Sequence, residues 1–181
     1  LIKTLTASDS ASLAFVDGAS DVTFDSTYDE YMFVLTDIGP ATDDESLGFQ
    51  VNATDDAGGG YDTSLITSTF FNAYHDEGDG TAAMGYEAGH DLAQSSGFQH
   101  ITNCGGNGAD ESSVCILHIF NPSSTTYVKH FYARSQGHHA ANFAQDIFIA
   151  GYINDTTAID EIQFKMSSGN FDGVIQMFGI S

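Results

Sequence analysis

Positive charge is almost missing from this chain. Lys3, Lys129, Arg134 and Lys165 are its only basic residues against 25 acidic ones, a formal net charge of −21 over 181 residues. Such a surface repels phosphate backbones and anionic lipid, which argues against nucleic acid and membrane as partners. It is tolerated best where salt or divalent cations screen it, although a well-solvated surface is the plain alternative. Tryptophan is absent, and with it the side chain most used for stacking on sugars. Proline occurs twice against 19 glycines, a balance that suits short strands joined by glycine turns. No run approaches the roughly 18 apolar residues of a membrane span. Reaction motifs are missing too. There is no G-x-S-x-G turn, and "GGNG" and "AGGGYD" lack the Lys-Ser/Thr of a phosphate-cradling loop. With 25 acids, some pair will meet the spacing of a glycosidase by chance, so that spacing carries no weight. The chain reads as a non-enzyme.

What is present is period 2. "LGFQVNA" sets Leu47, Phe49, Val51 and Ala53 on one face, and "VCILHIF" sets Cys115, Leu117 and Ile119 against Ile116, His118 and Phe120. "YMFVLTDI" and "FAQDIFIAGYI" are apolar on both faces and read as central strands, with Gly151 marking a bulge or a close backbone approach. "EIQFKM" and "VIQMFGI" flank "SSGNFDG", where Gly169 and Gly173 can take positive φ, and read as a closing β-hairpin whose last strand lies inside a sheet. About nine or ten strands with turn signals between them predict one all-β domain over residues 1–181, an antiparallel β-sandwich. "GHDLAQSS" offers at most one short helix. Residues 1–10 offer an extended N-terminal arm able to add a strand to a neighbouring subunit.

Carboxylates cluster in two loops. Asp55, Asp56 and Asp62 in "DDAGGGYD", and Asp76, Glu77 and Asp79 in "YHDEGDG", are the Ca²⁺ candidates, since hard oxygens on a glycine-bearing loop suit that ion. Neither run has EF-hand spacing, and a solvated acidic turn is the competing reading. His138 and His139 are zinc or nickel ligand types, but neighbours on a strand point to opposite faces, so a metal there needs ligands from elsewhere. Cys104 and Cys115 bracket "GGNGADESSV" at the facing ends of two apolar runs, and a hairpin would bring them within disulfide distance; two free thiols are the alternative. Asn52 and Asn154 head glycosylation sequons, relevant only in a glycosylating host. Tyr28, Tyr31, Tyr61, Tyr74, Phe98, Tyr127 and Tyr132 are divided between a sugar-stacking platform and plain core bulk.

Taken together, "TASDSASLAFVDG", "FDSTYDEYMFVLTDIGPATDDESLGFQV", "HDLAQSSGFQ", "LHIFNPSSTTYVKHFYARS" and "IDEIQFKMSSGNFDGVIQMFGI" resemble virion proteins of tailed bacteriophages, common among marine and cyanobacterial viruses. The resemblance implies a jelly-roll-like domain in a non-enzymatic particle protein, either capsid decoration or tail-associated. Its partners would be other virion proteins and copies of itself in a homo-oligomer, and its location the virion, assembled in the host cytoplasm. No catalytic or ligand residues carry over. The second expectation is a carbohydrate-binding β-sandwich module of a tail fibre or other extracellular adhesin, taking a host surface glycan.

Overall fold

The computed structural model describes residues 1–55, 61 and 64–181. Twelve strands account for the alternating stretches, two or three more than the sequence pattern suggests, and no helix occurs among the described residues. They are β1 (Lys3–Ser10), β2 (Leu13–Val16), β3 (Glu30–Pro40), β4 (Leu47–Ala53), β5 (Leu65–Asp76) and β6 (Ala82–Tyr86), followed by β7 (Gln99–His100), β8 (Ser113–Phe120), β9 (Lys129–His139), β10 (Phe143–Asn154), β11 (Ile159–Met166) and β12 (Phe171–Ile180).

All pairings are antiparallel and form two sheets, β1-β12-β3-β8-β9-β10-β5-β6 and β2-β11-β4-β7. Set aside β5, β6, β9 and β10 and renumber the remaining eight strands in chain order. The sheets then read 1-8-3-6 and 2-7-4-5, the two interleaved Greek keys of a jelly roll. The four extra strands are two insertions. Both add to the same edge of the large sheet, which therefore extends past its four-stranded partner.

The alternation sorts side chains as expected. Leu47, Phe49 and Val51 of β4 meet Leu117 and Ile119 of β8 and Ile175 and Met177 of β12 in one fully buried core. Edge-on rings knit the sheets together, Phe15 with Phe33 at 5.4 Å and Phe49 with Phe131 at 5.2 Å between centroids. Such contacts add about 1 kcal/mol each beyond simple burial. At Gly151 a Cβ would lie 2.8 Å from the Phe131 ring and 2.5 Å from the Thr67 carbonyl oxygen, and the register there is unbroken, so the glycine marks a close approach and not a bulge.

Two expectations change, and two open alternatives resolve. β11 and β12 are not a hairpin, because β11 sits in the small sheet and β12 in the large one. The connection between them, with Gly169 at φ +73°, crosses between the sheets as an arch. It is fastened to the β3–β4 crossing by Ser167 N–H donating to the Ser46 carbonyl (2.9 Å) and Ala41 N–H to the Asn170 carbonyl (2.9 Å). The last strand does lie inside a sheet, between β1 and β3, and its apolar side chains are core. β1 is no free arm; it pairs along β12 as the sheet edge. "GHDLAQSS" is not helical and forms part of a covering segment, in which the Leu92 carbonyl accepts the Ser68 N–H at 2.9 Å. Finally, Cys104 and Cys115 are both free thiols. β7 joins the small sheet and β8 the large one, so no hairpin draws the two cysteines together.

Candidate assembly face

The outward side chains of the large sheet stay partly or largely exposed, and their composition is not that of an acidic surface. The register lines up Gln176, Val34, Ile116, Arg134, Phe148, Phe71 and Tyr86 in one row across seven strands. The next row is Phe178, Met32, His118, Tyr132, Ala150 and Thr69. On the other side lie Val174, Thr36, Val114, Gln136, Asp146, Ala73 and Met84. Ile116, Val114, Tyr132 and Phe71 are each more than a third exposed, and Met84 is 76% exposed. This corrects the reading of "YMFVLTDI" and "FAQDIFIAGYI" as strands covered on both faces. Their outward residues, Met32, Val34 and Phe148 among them, are only partly buried.

Aromatic stacking stiffens the face. Phe71 and Phe148 stack at 5.2 Å with planes 7° apart, and the Arg134 guanidinium lies 4.9 Å from the Phe148 centroid. His118 stacks on Tyr132 at 4.5 Å and hydrogen-bonds Glu30 at the rim. Arg134 donates to both oxygens of Asp146, Nε to Oδ1 at 3.0 Å and an Nη to Oδ2 at 2.8 Å. That bidentate pair holds the Asp146 carboxyl below the usual carboxylate range. Asp146 is the one acid in the three rows, out of 25 in the chain, and it is neutralised where it stands. A depression of about 450 Å³ runs between Val34, Val114, Ile116 and Arg134. At strand spacings near 4.8 Å and a two-residue repeat near 6.7 Å, three rows across six or seven strands cover roughly 600 Å². That area is close to the roughly 800 Å² each partner contributes to a stable interface.

The residues singled out from the sequence lie elsewhere. Asp56 and Asp62 fall outside the described residues. Asp55 accepts the Thr157 hydroxyl at 3.1 Å, near the start of β5. Asp76, Glu77 and Asp79 form the exposed β5–β6 turn at the other end of that strand. There Asp76 accepts the Gly80 N–H (2.7 Å), which lowers its carboxyl pKa, and Asp79 meets His75 Nε2 at 3.1 Å. Asp76 and Asp79 are thus engaged within their own turn, Glu77 faces His138, and Asp55, the described acid of the first loop, is engaged with Thr157. His138 and His139 diverge as adjacent strand residues must. His138 stands between Glu77 and Glu111, 3.3 Å from each, while His139 turns inward beside Asp44 and Cys104. Asp44 carried no signal in the sequence. Cys104 is partly buried and Cys115 fully so, and burial pushes both thiols upward, Cys104 to about 11 with Asp44 adding to the effect. The aromatics disperse: Tyr31 is core, Tyr28 packs on it at 5.8 Å, Tyr61 pairs with Phe98 at 6.3 Å, and Tyr132 is on the outer face.

No known protein-family model matches the chain, and no curated protein matches it.

Proposed function

We propose that this protein is a non-enzymatic structural subunit of a tailed-bacteriophage virion, acting by contact between copies of itself through the outer face of the large sheet. The observation that carries the assembly reading is the three-row face itself, broad, apolar, stiffened by stacking, and nearly free of unpaired charge on a molecule of net charge −21. Two like-charged copies meet at lowest electrostatic cost where neither presents bare carboxylates. A jelly roll serves many functions, so the fold agrees with this reading without choosing it. The virion placement rests on the resemblance of the sequence segments.

Sedimentation equilibrium across a concentration and salt series tests the assembly step. The wild type is expected to associate more strongly as salt screens the net charge, and the pair Ile116→Lys with Phe148→Lys to remain monomeric with an unchanged thermal transition. A wild type that stays monomeric at every concentration and salt overturns it. Absence of the chain from purified particles, read by mass spectrometry, overturns the virion placement.

A further inference from the structure

Where the large sheet outruns the small one, its inner face is covered by the segment between β6 and β8, and a cavity of about 250 Å³ remains beneath. Its walls mix amide side chains with the rings of Tyr74 and Phe143. Asn72 of β5 and Gln145 of β10 are 3% and 4% exposed, yet Asn72 Oδ1 and Gln145 Oε1 have no hydrogen-bond partner among the described residues. Asn103 Oδ1, on the covering segment, is a buried atom with none among the described residues either. Unmatched buried acceptors are costly, and three of them lining one cavity point to something that donates to them.

Two further walls of that cavity are Cys104 and His139, and with Asp44 they bring a sulfur, an imidazole nitrogen and a carboxylate oxygen within 4.8 Å of one another. The backbone fixes all three. Asp44 N–H donates to the Gly105 carbonyl (3.0 Å), Cys104 N–H to Ser46 Oγ (2.9 Å), and Ala140 N–H to the Cys104 carbonyl (3.0 Å). Asp44 and Cys104 are held at φ +66° and +47°, a region aspartate enters readily and cysteine seldom.

We propose that Asp44, Cys104 and His139 bind a zinc ion at the wall of this cavity. A thiolate with an imidazole and a carboxylate is a zinc donor set and excludes calcium or magnesium, which take oxygen alone. Three protein ligands leave a fourth position for water. The thiol must lose its proton: the S–H bond breaks, the sulfur lone pair forms the Zn–S bond, and one proton passes to buffer. His139 enters as the neutral ring, since its Nδ1 accepts the Ala141 N–H at 2.9 Å. Offering a lone pair to zinc gives up that hydrogen bond through either nitrogen, a cost of about tenfold in affinity. The proposal is independent of the assembly reading, because the outer face plays no part in it.

Cobalt(II) titrated into the reduced protein provides the test, because a thiolate ligand gives an intense charge-transfer absorption that carboxylates and imidazoles do not. One equivalent is expected to produce the band, one equivalent of zinc to bleach it, Cys115→Ser to retain it and Cys104→Ser to abolish it. His139→Ala is expected to weaken cobalt binding at least tenfold. No band from the wild type, or a band that survives Cys104→Ser, overturns the proposal. Iodoacetamide labelling of the unaltered protein gives a second measurement that needs no variant. Zinc should slow modification at Cys104 at least tenfold, and equal rates with and without zinc also overturn it.

Discussion

The imidazole of His100 provides a sharp test of how the interior is wired. It sits on β7, the two-residue edge strand of the small sheet, with its ring 5.1 Å from that of His90 and its Nδ1 buried with no partner among the described residues. Burial disfavours the charged ring, the neighbouring His90 adds to this, and Glu45 opposes it; the result is a pKa pushed down to about 4 from the ordinary 6.5. The sign follows from which state binds the proton first. Between pH 6.5 and about 4 the unfolded chain is protonated at this residue and the folded one is not, so stability is complete above 6.5 and falls as the pH drops toward 4. The gap from about 4 to 6.5 converts to roughly 3 kcal/mol, and screening of a ring that retains some solvent contact reduces the expected loss to about 2 kcal/mol. Many carboxylates titrate over the same range, so the quantity to measure is a difference. Urea unfolding, followed by tyrosine fluorescence since the chain has no tryptophan, is compared for the wild type and His100→Asn at about pH 7.5 and about pH 4.5. The wild type should lose about 2 kcal/mol more than the variant. Parallel losses would show that His100 is charged in the folded state, and the account of a dry polar interior around it would fail.

Other expectations follow from single contacts. Lys129 is fully buried, with Nζ donating to the carbonyls of Asp155 (3.1 Å) and Thr157, so Lys129→Met strands two acceptors beside the Asp155 carboxylate. It should cost about 3 kcal/mol in urea unfolding, and a loss under 1 kcal/mol would contradict this. Gly151→Ala forces a Cβ onto the Phe131 ring and the backbone at Thr67 and Ser68, and should destabilise by about 2 kcal/mol by the same assay. Thiol titration should find two free sulfhydryls after unfolding, with Cys115 unreactive in the native protein because it is sealed in the core; a count of zero under non-reducing unfolding would restore the disulfide.

Much of the local structure was legible from alternation. Leu47, Phe49 and Val51, Cys115, Leu117 and Ile119, and Ile162, Phe164 and Met166 all face inward as period 2 requires. The need for a glycine at 151 and for positive φ at Gly169 and Gly173 was equally local. The candidate assembly face was only half visible. "VCILHIF" showed that Ile116, His118 and Phe120 share a side, but the apolar run "YMFVLTDI" suggested cover on both sides where the structure provides it on one.

Strand content, the inward side chains and the positions that need glycine could all be read along the chain, because each depends on a residue and its near neighbours. Which strands pair could not, because it is settled by contacts between distant segments. A short connection such as residues 167–170 serves a hairpin or an arch equally well, and whether β12 lies beside β11 or beside β1 and β3 depends on which faces the rest of the chain leaves to be covered. The meeting of Asp44, Cys104 and His139 is of the same kind. Their three segments are far apart in sequence and become neighbours only because the β3–β4 crossing, the segment after β7 and the end of β9 are hydrogen-bonded together at one end of the sandwich. Alternation along a strand carries no information about such a meeting.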